Sequence, residues 1–375
     1  MSNAVTTPTK SQPGRLVDQV NELKLSMSRQ RILVTDMSRA GTLESGIGTD
    51  AHGEVGTEAI DAPIVLDRLE GKIAGRKLEA AQAGASRFRY FLDGCQKTIP
   101  ICRIGITPVV VALSAVGILQ RGPGGQGSLL SGTLHVNQTW IAPRETGHPD
   151  LDRLIQEIAD RGGSVIDPFV DRGGLRVDNY IALSGNYAKM LSYAFDMAGR
   201  IRGQQEEDIL ETWQATDAMD HPDDWIVVDG RLRSGVKNGV GLVKELQTQH
   251  LVGDEALALF DLPQGYRTSA FRYISSSRQS DPRGGTDTSE NRTMWYMRFW
   301  NATGMDARHS LVRIEAPHHI ESTEQIDELS GWILSERLPR ATDDPRWPTM
   351  LYPIYYLERI LKRRLAQITA GWPSA

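Results

Sequence analysis

Residues 88–94 read FRYFLDG and residues 225–230 read WIVVDG, so one short design occurs twice in the chain. In each segment an apolar strand is followed by an aspartate, Asp93 or Asp229, and then by a glycine that permits a tight turn. Ligands bind at strand ends in α/β sheets, and two carboxylates held there can share a divalent cation. Such a cation activates water and stabilises the charge that develops on a phosphodiester. The alternative interpretation is that each Asp-Gly is an ordinary strand-to-turn sequence.

The composition is that of an ordinary soluble protein with a sizeable core. The chain has 375 residues, 40% of them hydrophobic, and a net charge of −5, without the basic excess of a dedicated nucleic-acid binder. Its two cysteines, Cys95 and Cys102, are too few for a disulfide framework or a structural zinc site, which predicts buried thiols and a cytoplasmic protein. Residues 1–14 lack the apolar core of a signal peptide. No membrane association is expected, because the apolar stretch 104–119 contains Pro108 and is shorter than the ~18–20 residues of a spanning helix. Its run of three valines, 109–111, favours a buried strand instead.

The order of the predicted elements indicates a mixed α/β sheet covered by helices. Helices are predicted at 16–34, 62–83, 150–161, 188–216, 324–337 and 349–368. Strands are predicted at 88–92, from 102, and at 129–141, 225–228, 239–243, 256–260, 294–299 and 311–314. Residues 1–60 are predicted to be a disordered and helical N-terminal segment with a linker at 41–56, and residues 61–375 one domain with its core at about 88–365. Residues 122–127 and 275–292 are predicted to be a turn and a mobile loop.

Further acidic and basic residues accompany the two aspartates. The helix before the second strand carries Glu206, Glu207 and Glu211, of which Glu207 and Glu211 share a helical face and each offers a third carboxylate. Lys244 follows the apolar strand 239–243 and is placed to neutralise a scissile phosphate. The plain alternative is a solvated side chain for each glutamate and a snorkelling edge residue for Lys244.

Basic residues on later elements are candidates for DNA contacts. Arg298 and Arg313 alternate with apolar neighbours, which is typical of a strand with a groove-facing or solvent-facing side. The last helix carries a basic cluster that either contacts phosphates or is a solvated face. The members of this cluster are Arg359, Lys362, Arg363 and Arg364.

These motifs occur together in an order that resembles the NurA family of nucleases over about residues 88–365. The motifs are FLDG, the Glu-bearing helix, IVVDG, GVGLVK, MWYMRFW, LVRIEAP and a YP-containing last helix. The resemblance implies an RNase H-like core that uses Mn²⁺ or Mg²⁺ to cut DNA, with 5′–3′ exonuclease and single-strand endonuclease activity. It also implies a homodimer that docks on a HerA-like hexameric ATPase and resects DNA ends in double-strand break repair.

The resemblance assigns roles to individual residues. Asp93 and Asp229 match the two metal-binding aspartates, and Lys244 matches the lysine after the next strand. The family's helix glutamate falls on Glu211 or Glu207, and the spacing to Asp229 favours Glu211. The chain departs from the family at its last helix, where YPIYYLERIL has no histidine, and Glu358 is our candidate for the remaining metal ligand.

Two other functions are compatible with the sequence. The missing histidine would suit a catalytically weak or inactive NurA-like subunit that binds DNA or the motor. An actin-like or sugar-kinase-like ATPase also places Asp-Gly after an early strand, but it continues with a Gly/Thr/Ser-rich hairpin. Here the residues after the first Asp-Gly are Cys95-Gln-Lys-Thr-Ile-Pro.

Overall fold

The computed structural model describes most of the chain. The described residues are 13–40, 42, 65–81, 85–144, 146–170, 174–177, 185–233, 235–244, 250–274, 292–339, 344 and 346–373. The predicted linker, apart from Thr42, and the predicted mobile loop, apart from Arg292, lie outside these ranges. The predicted disorder of the first residues likewise falls on positions that are not described, up to residue 12.

Across the described ranges, fourteen strands form one mixed sheet. The strands are β1 (Thr35–Asp36), β2 (Val65–Arg68), β3 (Gly75–Lys77), β4 (Phe88–Ile104), β5 (Thr107–Arg121), β6 (Gly127–Leu129), β7 (His135–Ile141), β8 (Val165–Ile166), β9 (Trp225–Asp229), β10 (Gly239–Val243), β11 (Tyr266–Thr268), β12 (Phe271–Ile274), β13 (Arg292–Arg298) and β14 (Leu311–Pro317). The main order is β2-β12-β13-β14-β10-β9-β4-β5-β7-β8. At its centre β4, β9 and β10 are parallel, while β5 and β14 flank them in antiparallel orientation.

Helices flank the sheet. They are α1 (Leu16–Arg29), α2 (Pro149–Asp160), α3 (Tyr187–Ala215), α4 (Asp217–Asp220), α5 (Asp254–Phe260), α6 (Thr323–Glu336) and α7 (Tyr352–Ile368), with a 3₁₀ turn at Trp347–Thr349. The predicted α/β class and the predicted terminal helices are therefore confirmed. No helix among the described residues is long and apolar enough to cross a membrane.

The long helices α3 and α7 cover opposite faces of the central strands. Side chains alternate along a strand, so β4 sends successive residues to different sides. Phe91 and Cys95 join the main core together with Leu361 of α7. Leu92 joins a second cluster with Trp213 of α3. Consequently, the odd-numbered residues of this part of β4, such as Phe91 and Cys95, face α7, and the even-numbered residues, such as Leu92, face α3.

Several sequence predictions about the core are confirmed. The predicted apolar face of α1 is buried against the main core, and both cysteines are buried free thiols. The apolar stretch 104–119 lies mostly in the buried strand β5, as its run of valines indicated. The turn at 122–127 is also present, between β5 and β6.

Four of the element predictions are wrong. Residues 65–81, the described part of the predicted helix 62–83, are not a helix, because β2 and β3 pair with β12 and β11 and tertiary pairing overrides helix propensity. Residues 256–260 are not a strand but lie in α5, whose first turn is acidic and suits a helix N-terminus. The predicted strand 129–141 is divided into β6 and β7 by a turn in which Gly132 has a φ of 78°. The predicted strand from residue 102 is the end of β4.

A buried ion-pair network anchors the edge of the sheet. The Arg267 guanidinium is fully buried and donates to both carboxylate oxygens of Glu70, at 2.6 and 2.8 Å, and to Asp327. Glu70 also accepts hydrogen bonds from the backbone N–H of Ala270 and the hydroxyl of Thr323. Burial alone would raise the pKa of Glu70, but these hydrogen bonds outweigh it and lower that pKa to about 2.

Because of this network, the stability of the fold is expected to depend on pH in the acidic range. A depressed carboxyl pKa stabilises the fold above the ordinary value of 4.5, and this stabilisation is lost as the pH falls through about 2. We expect the free energy of unfolding to drop by about 3 kcal/mol over that interval from this group, with about 1 kcal/mol lost by pH 3.5. Urea unfolding at pH 7, 5 and 3.5 measures the loss. The difference between the wild type and Glu70→Gln should shrink with acid, whereas Glu328→Gln on the exposed side of α6 should follow the wild type at every pH. A constant Glu70→Gln difference would contradict the assignment.

Candidate functional site

Asp93 and Asp229 lie side by side on parallel strands at the centre of the sheet. Leu92 of β4 is paired with Val228 of β9, so the next residue on each strand is one of the two aspartates. Both aspartates face α7. Asp93 lies two residues after Phe91 and Asp229 lies two residues after Val227, and both of these apolar residues join the core on the α7 side, whereas Leu92 and Val228 join the cluster on the α3 side. The expectation that Asp229 ends its strand is confirmed, and Gly230 follows with a φ of 120° that favours glycine.

The corresponding expectation for Asp93 is wrong, because β4 continues through Asp93 and Gly94 to Ile104. The long pairing with β5 carries the backbone straight on, and Gly94 makes no turn. The residues Cys95 to Pro100 are also part of this strand, so they form no phosphate-binding loop of the ATPase type. The Asp93 carboxylate is therefore held on a rigid strand interior, where its Oδ1 accepts the backbone N–H of Gly94 at 2.7 Å.

Lys244 is in contact with Asp229 and acts electrostatically on Asp93. It follows β10, whose Leu242 is paired with Asp229, and its Nζ lies 2.7 Å from each oxygen of the Asp229 carboxylate. The lysine and the aspartate are both largely buried, which strengthens the attraction between them. The sequence prediction that Lys244 accompanies the aspartates is supported by this geometry.

Glu358 approaches the same face from α7. It is buried, and Arg346 Nη2 lies 2.8 Å from both of its oxygens while Lys362 Nζ lies 2.9 Å from one. Burial raises the pKa of Glu358, but Lys362 and Arg346 outweigh it and lower that pKa. Gly117 of β5, paired with Asp93, faces the same helix, and a Cβ there would be in ordinary van der Waals contact with Leu361 at 3.5 Å.

Glu206 of α3 is the carboxylate that sequence reasoning missed. It reaches β4 from the opposite face, where its Oε1 lies so close to Gly94 that a Cβ at that position would displace the glutamate side chain. Arg202 joins the pair by donating to the Gly94 carbonyl at 3.1 Å, with the same nitrogen 3.4 Å from Glu206. Burial raises the pKa of Glu206 more than Arg202 lowers it.

The two glutamates predicted from the sequence do not lie with the aspartates. Glu207 is 2.8 Å from Arg233, and Glu211 is exposed, while α3 covers the face away from the Asp93 carboxylate. The spacing of Glu206 from the apolar residues of α3 could have identified it from the sequence. Glu206 precedes Leu210 by four residues and Trp213 by seven, which places it on the buried side of α3.

The expectation that Arg298 and Arg313 face a groove or solvent is wrong. Arg298 is 2% exposed and donates to the backbone carbonyls of residues 260, 262, 307 and 309. Arg313 is 3% exposed and donates to Glu315 and approaches His250. Alternation along β13 and β14 fails as a guide because every residue of both strands is buried. By contrast, Arg359, Lys362 and Arg363 are exposed on α7.

The electrostatics of the site favour a cation. Burial is the largest effect that raises the pKa of Asp93, followed by the charge of Asp229, and Glu358 and Glu206 add to it while Lys244 opposes it. Asp93, Asp229 and Glu358 present hard oxygen donors on one face, a set suited to Mn²⁺ or Mg²⁺. Within the part of the chain that the structure describes, no three His, Cys, Asp or Glu side chains are grouped tightly enough for a preformed metal site. The donor chemistry therefore fits a divalent ion, and binding requires the carboxylates to draw closer together.

No protein-family model matches the sequence, and no curated protein matches it.

Proposed function

We propose that this protein is a Mn²⁺- or Mg²⁺-dependent deoxyribonuclease with an RNase H-like core, similar to the NurA family. One observation carries the proposal: Asp93 and Asp229 lie side by side on parallel strands, facing a helix that brings Glu358 to the same side. The order of sequence motifs from FLDG to the last helix supports it. A buried carboxyl of this kind, whose pKa is raised by burial and by neighbouring carboxylates, is a candidate for a functional site.

The residues of the site have different proposed roles. Asp93, Asp229 and Glu358 would hold the metal, which when bound lowers the pKa of water and stabilises charge on a phosphodiester. Lys244 orients Asp229 and adds a positive charge at the position where a scissile phosphate would lie. Arg202 acts from the other face as a positioning residue, because it donates to the backbone carbonyl of Gly94, next to Asp93, and Glu206 supports it by pairing with its guanidinium.

The proposal extends to the setting in which the activity is used. A homodimer that docks on a HerA-like hexameric ATPase would cut DNA with 5′–3′ exonuclease and single-strand endonuclease activity in end resection. This part rests on the resemblance of the motif order alone. Co-elution of the purified chain with such an ATPase, and the mass of the chain in solution, are its direct tests.

Nuclease activity tests the proposal through the two aspartates. We expect Mn²⁺-stimulated degradation of linear DNA, and we expect Asp93→Asn or Asp229→Asn to lower the rate by at least about 100-fold, because each removes a charged ligand. Asn keeps the shape of the side chain, and at position 93 it removes a buried charge, so the fold should hold. Glu211→Gln is the matched control and should cut DNA at the wild-type rate. Undiminished cutting by both aspartate variants would overturn the proposal.

A catalytically silent NurA-like subunit is the second candidate, and one observation favours it. Asp229 and Glu358 are already paired with Lys244, Arg346 and Lys362, so these carboxylates have cationic partners without a metal. Calorimetric titration with Mn²⁺ separates the candidates. A nuclease should bind Mn²⁺, and the Asp93→Asn variant should not. A folded dimer that does not bind Mn²⁺ and does not cut DNA would be the silent subunit.

A further inference from the structure

The outward face of α7 carries a stripe of tyrosines and arginines, which we call the Tyr/Arg stripe. It consists of Tyr352, Tyr356, Arg359 and Arg363, spaced by four, three and four residues. At 3.6 residues per turn these positions fall within about 60° of one another around the helix. Tyr352 is 54% exposed and Tyr356 is 40% exposed, so two aromatic rings face solvent on a helix whose other side is in the core.

The charge of this surface is opposite to that of the protein as a whole. The chain has a net charge of −5, but α7 carries four basic residues against one acidic residue, Glu358, which is turned inward. Arg359 and Arg363 are exposed, and the Arg359 guanidinium lies 5.7 Å from the ring centroid of Tyr355, which borders the stripe. A positive surface interleaved with aromatic rings is complementary to a chain of phosphates and bases.

The Tyr/Arg stripe borders the carboxylate site. Lys362 is 57% exposed, one helical turn beyond Glu358, and its Nζ contacts Glu358 at 2.9 Å. Around the helix it lies between Glu358 and the stripe, at 100° per residue. A strand lying on the stripe would therefore reach Lys362 and then the face that holds Asp93 and Asp229.

We propose that the Tyr/Arg stripe binds single-stranded nucleic acid, with bases stacked on Tyr352 and Tyr356 and phosphates on Arg359 and Arg363. A duplex hides the faces of its bases, whereas an unpaired strand offers them to aromatic side chains. The stripe then delivers the strand to the carboxylate site. This delivery rests on the proposed nuclease function, but binding to the stripe does not.

Fluorescence anisotropy with labelled oligonucleotides tests the proposal. The probes are a (dT) oligomer, an abasic oligomer of equal length and a duplex, all measured in EDTA so that no cutting occurs. The variants are Tyr352→Ala/Tyr356→Ala and Arg359→Gln/Arg363→Gln. Tyr187→Ala and Arg153→Gln change an exposed tyrosine and an exposed arginine on other helices and serve as controls.

The two double variants should differ on the abasic probe. The tyrosine variant is expected to bind (dT) at least about 10-fold more weakly and the abasic strand as tightly as the wild type, because stacking needs bases. The arginine variant should bind both strands more weakly, with a smaller dependence on salt. The duplex should bind the wild type more weakly than (dT) does, and the controls should leave all three affinities unchanged.

Two results would overturn the stripe as a single-strand site. One is unchanged (dT) affinity in the tyrosine variant. The other is a change in oligomeric mass in that variant, since the tyrosines would then form a protein interface. Failure of the nuclease proposal is recognised separately: the Asp93→Asn protein and the wild type would both bind (dT), and neither would cut it.

Discussion

Replacing Glu315 with leucine is expected to lower the free energy of unfolding by about 3–5 kcal/mol, because it leaves buried charges without a counter-ion. The Glu315 carboxylate is 1% exposed and lies 2.8 Å from Arg292 and 2.9 Å from Arg313, both of which are also buried. Its Oε2 additionally accepts the backbone N–H of Leu232, three residues after Asp229. Glu315 thus connects the segment that follows Asp229 to two buried arginines of the sheet, Arg292 and Arg313.

Chemical unfolding of matched variants measures this effect. Glu328→Leu makes the same substitution at an exposed position of α6 and should change the free energy of unfolding by less than about 0.5 kcal/mol. Adding Arg292→Met and Arg313→Met to Glu315→Leu should recover most of the loss, since a whole ion network can be exchanged for apolar side chains. Equal stability of Glu315→Leu and Glu328→Leu would contradict the interpretation. So would a triple variant that is less stable than Glu315→Leu.

Gly241→Ala is expected to cost about 3 kcal/mol of stability and to disturb Asp229. A Cβ on Gly241 would overlap the backbone nitrogen of Leu232 and lie 2.7 Å from the carbonyl oxygen of Gly230. Both atoms belong to backbone rather than to a flexible side chain, so one of the two segments must move. The segment that moves begins directly after Asp229, so the variant should also lose Mn²⁺ binding.

Gly199→Ala provides the matched control for this substitution. Its Cβ would lie 4.0 Å from the nearest atom, Gln96 Oε1, in the interior of α3, where alanine is preferred to glycine by up to about 1 kcal/mol. We therefore expect Gly199→Ala to unfold at the same or a higher denaturant concentration than the wild type. If Gly241→Ala were as stable as Gly199→Ala, the close packing of the segment after Asp229 on β10 would be refuted.

Local patterns predicted the elements well where burial followed a simple period. The apolar spacing in α1 and the valine-rich run of β5 identified their elements, and the Asp-Gly after β9 marked a real strand end. The same dipeptide misled at Asp93, because Gly94 continues the pairing of β4 with β5 and lies against Glu206 of a distant helix instead of making a turn. A glycine inside a strand and a glycine in a turn cannot be told apart from the dipeptide alone.

The third carboxylate and the arginines show a second limit of sequence reasoning. Glu207 and Glu211 were favoured over Glu206 by their mutual spacing, but which side of α3 is buried depends on the strands that it covers. Arg298 was predicted to be at an open face because buried arginines are rare, yet here four backbone carbonyls surround its guanidinium. Such partners lie far apart in the sequence and become neighbours only in the folded chain.

Two glycines next to Asp93 face the two covering helices. Gly94 lies against Glu206 of α3 on one side of the sheet, and Gly117, which is paired with Asp93, lies against Leu361 of α7 on the other. Charges on either helix therefore act on the same aspartate, one set directly and the other through a single layer of backbone. A substitution at Arg202 or Glu206 would thus retune the ion affinity of a site that neither side chain faces. At this point the two faces of the sheet are electrostatically coupled, so the proposed affinity for a cation is open to change from α3 as well as from α7.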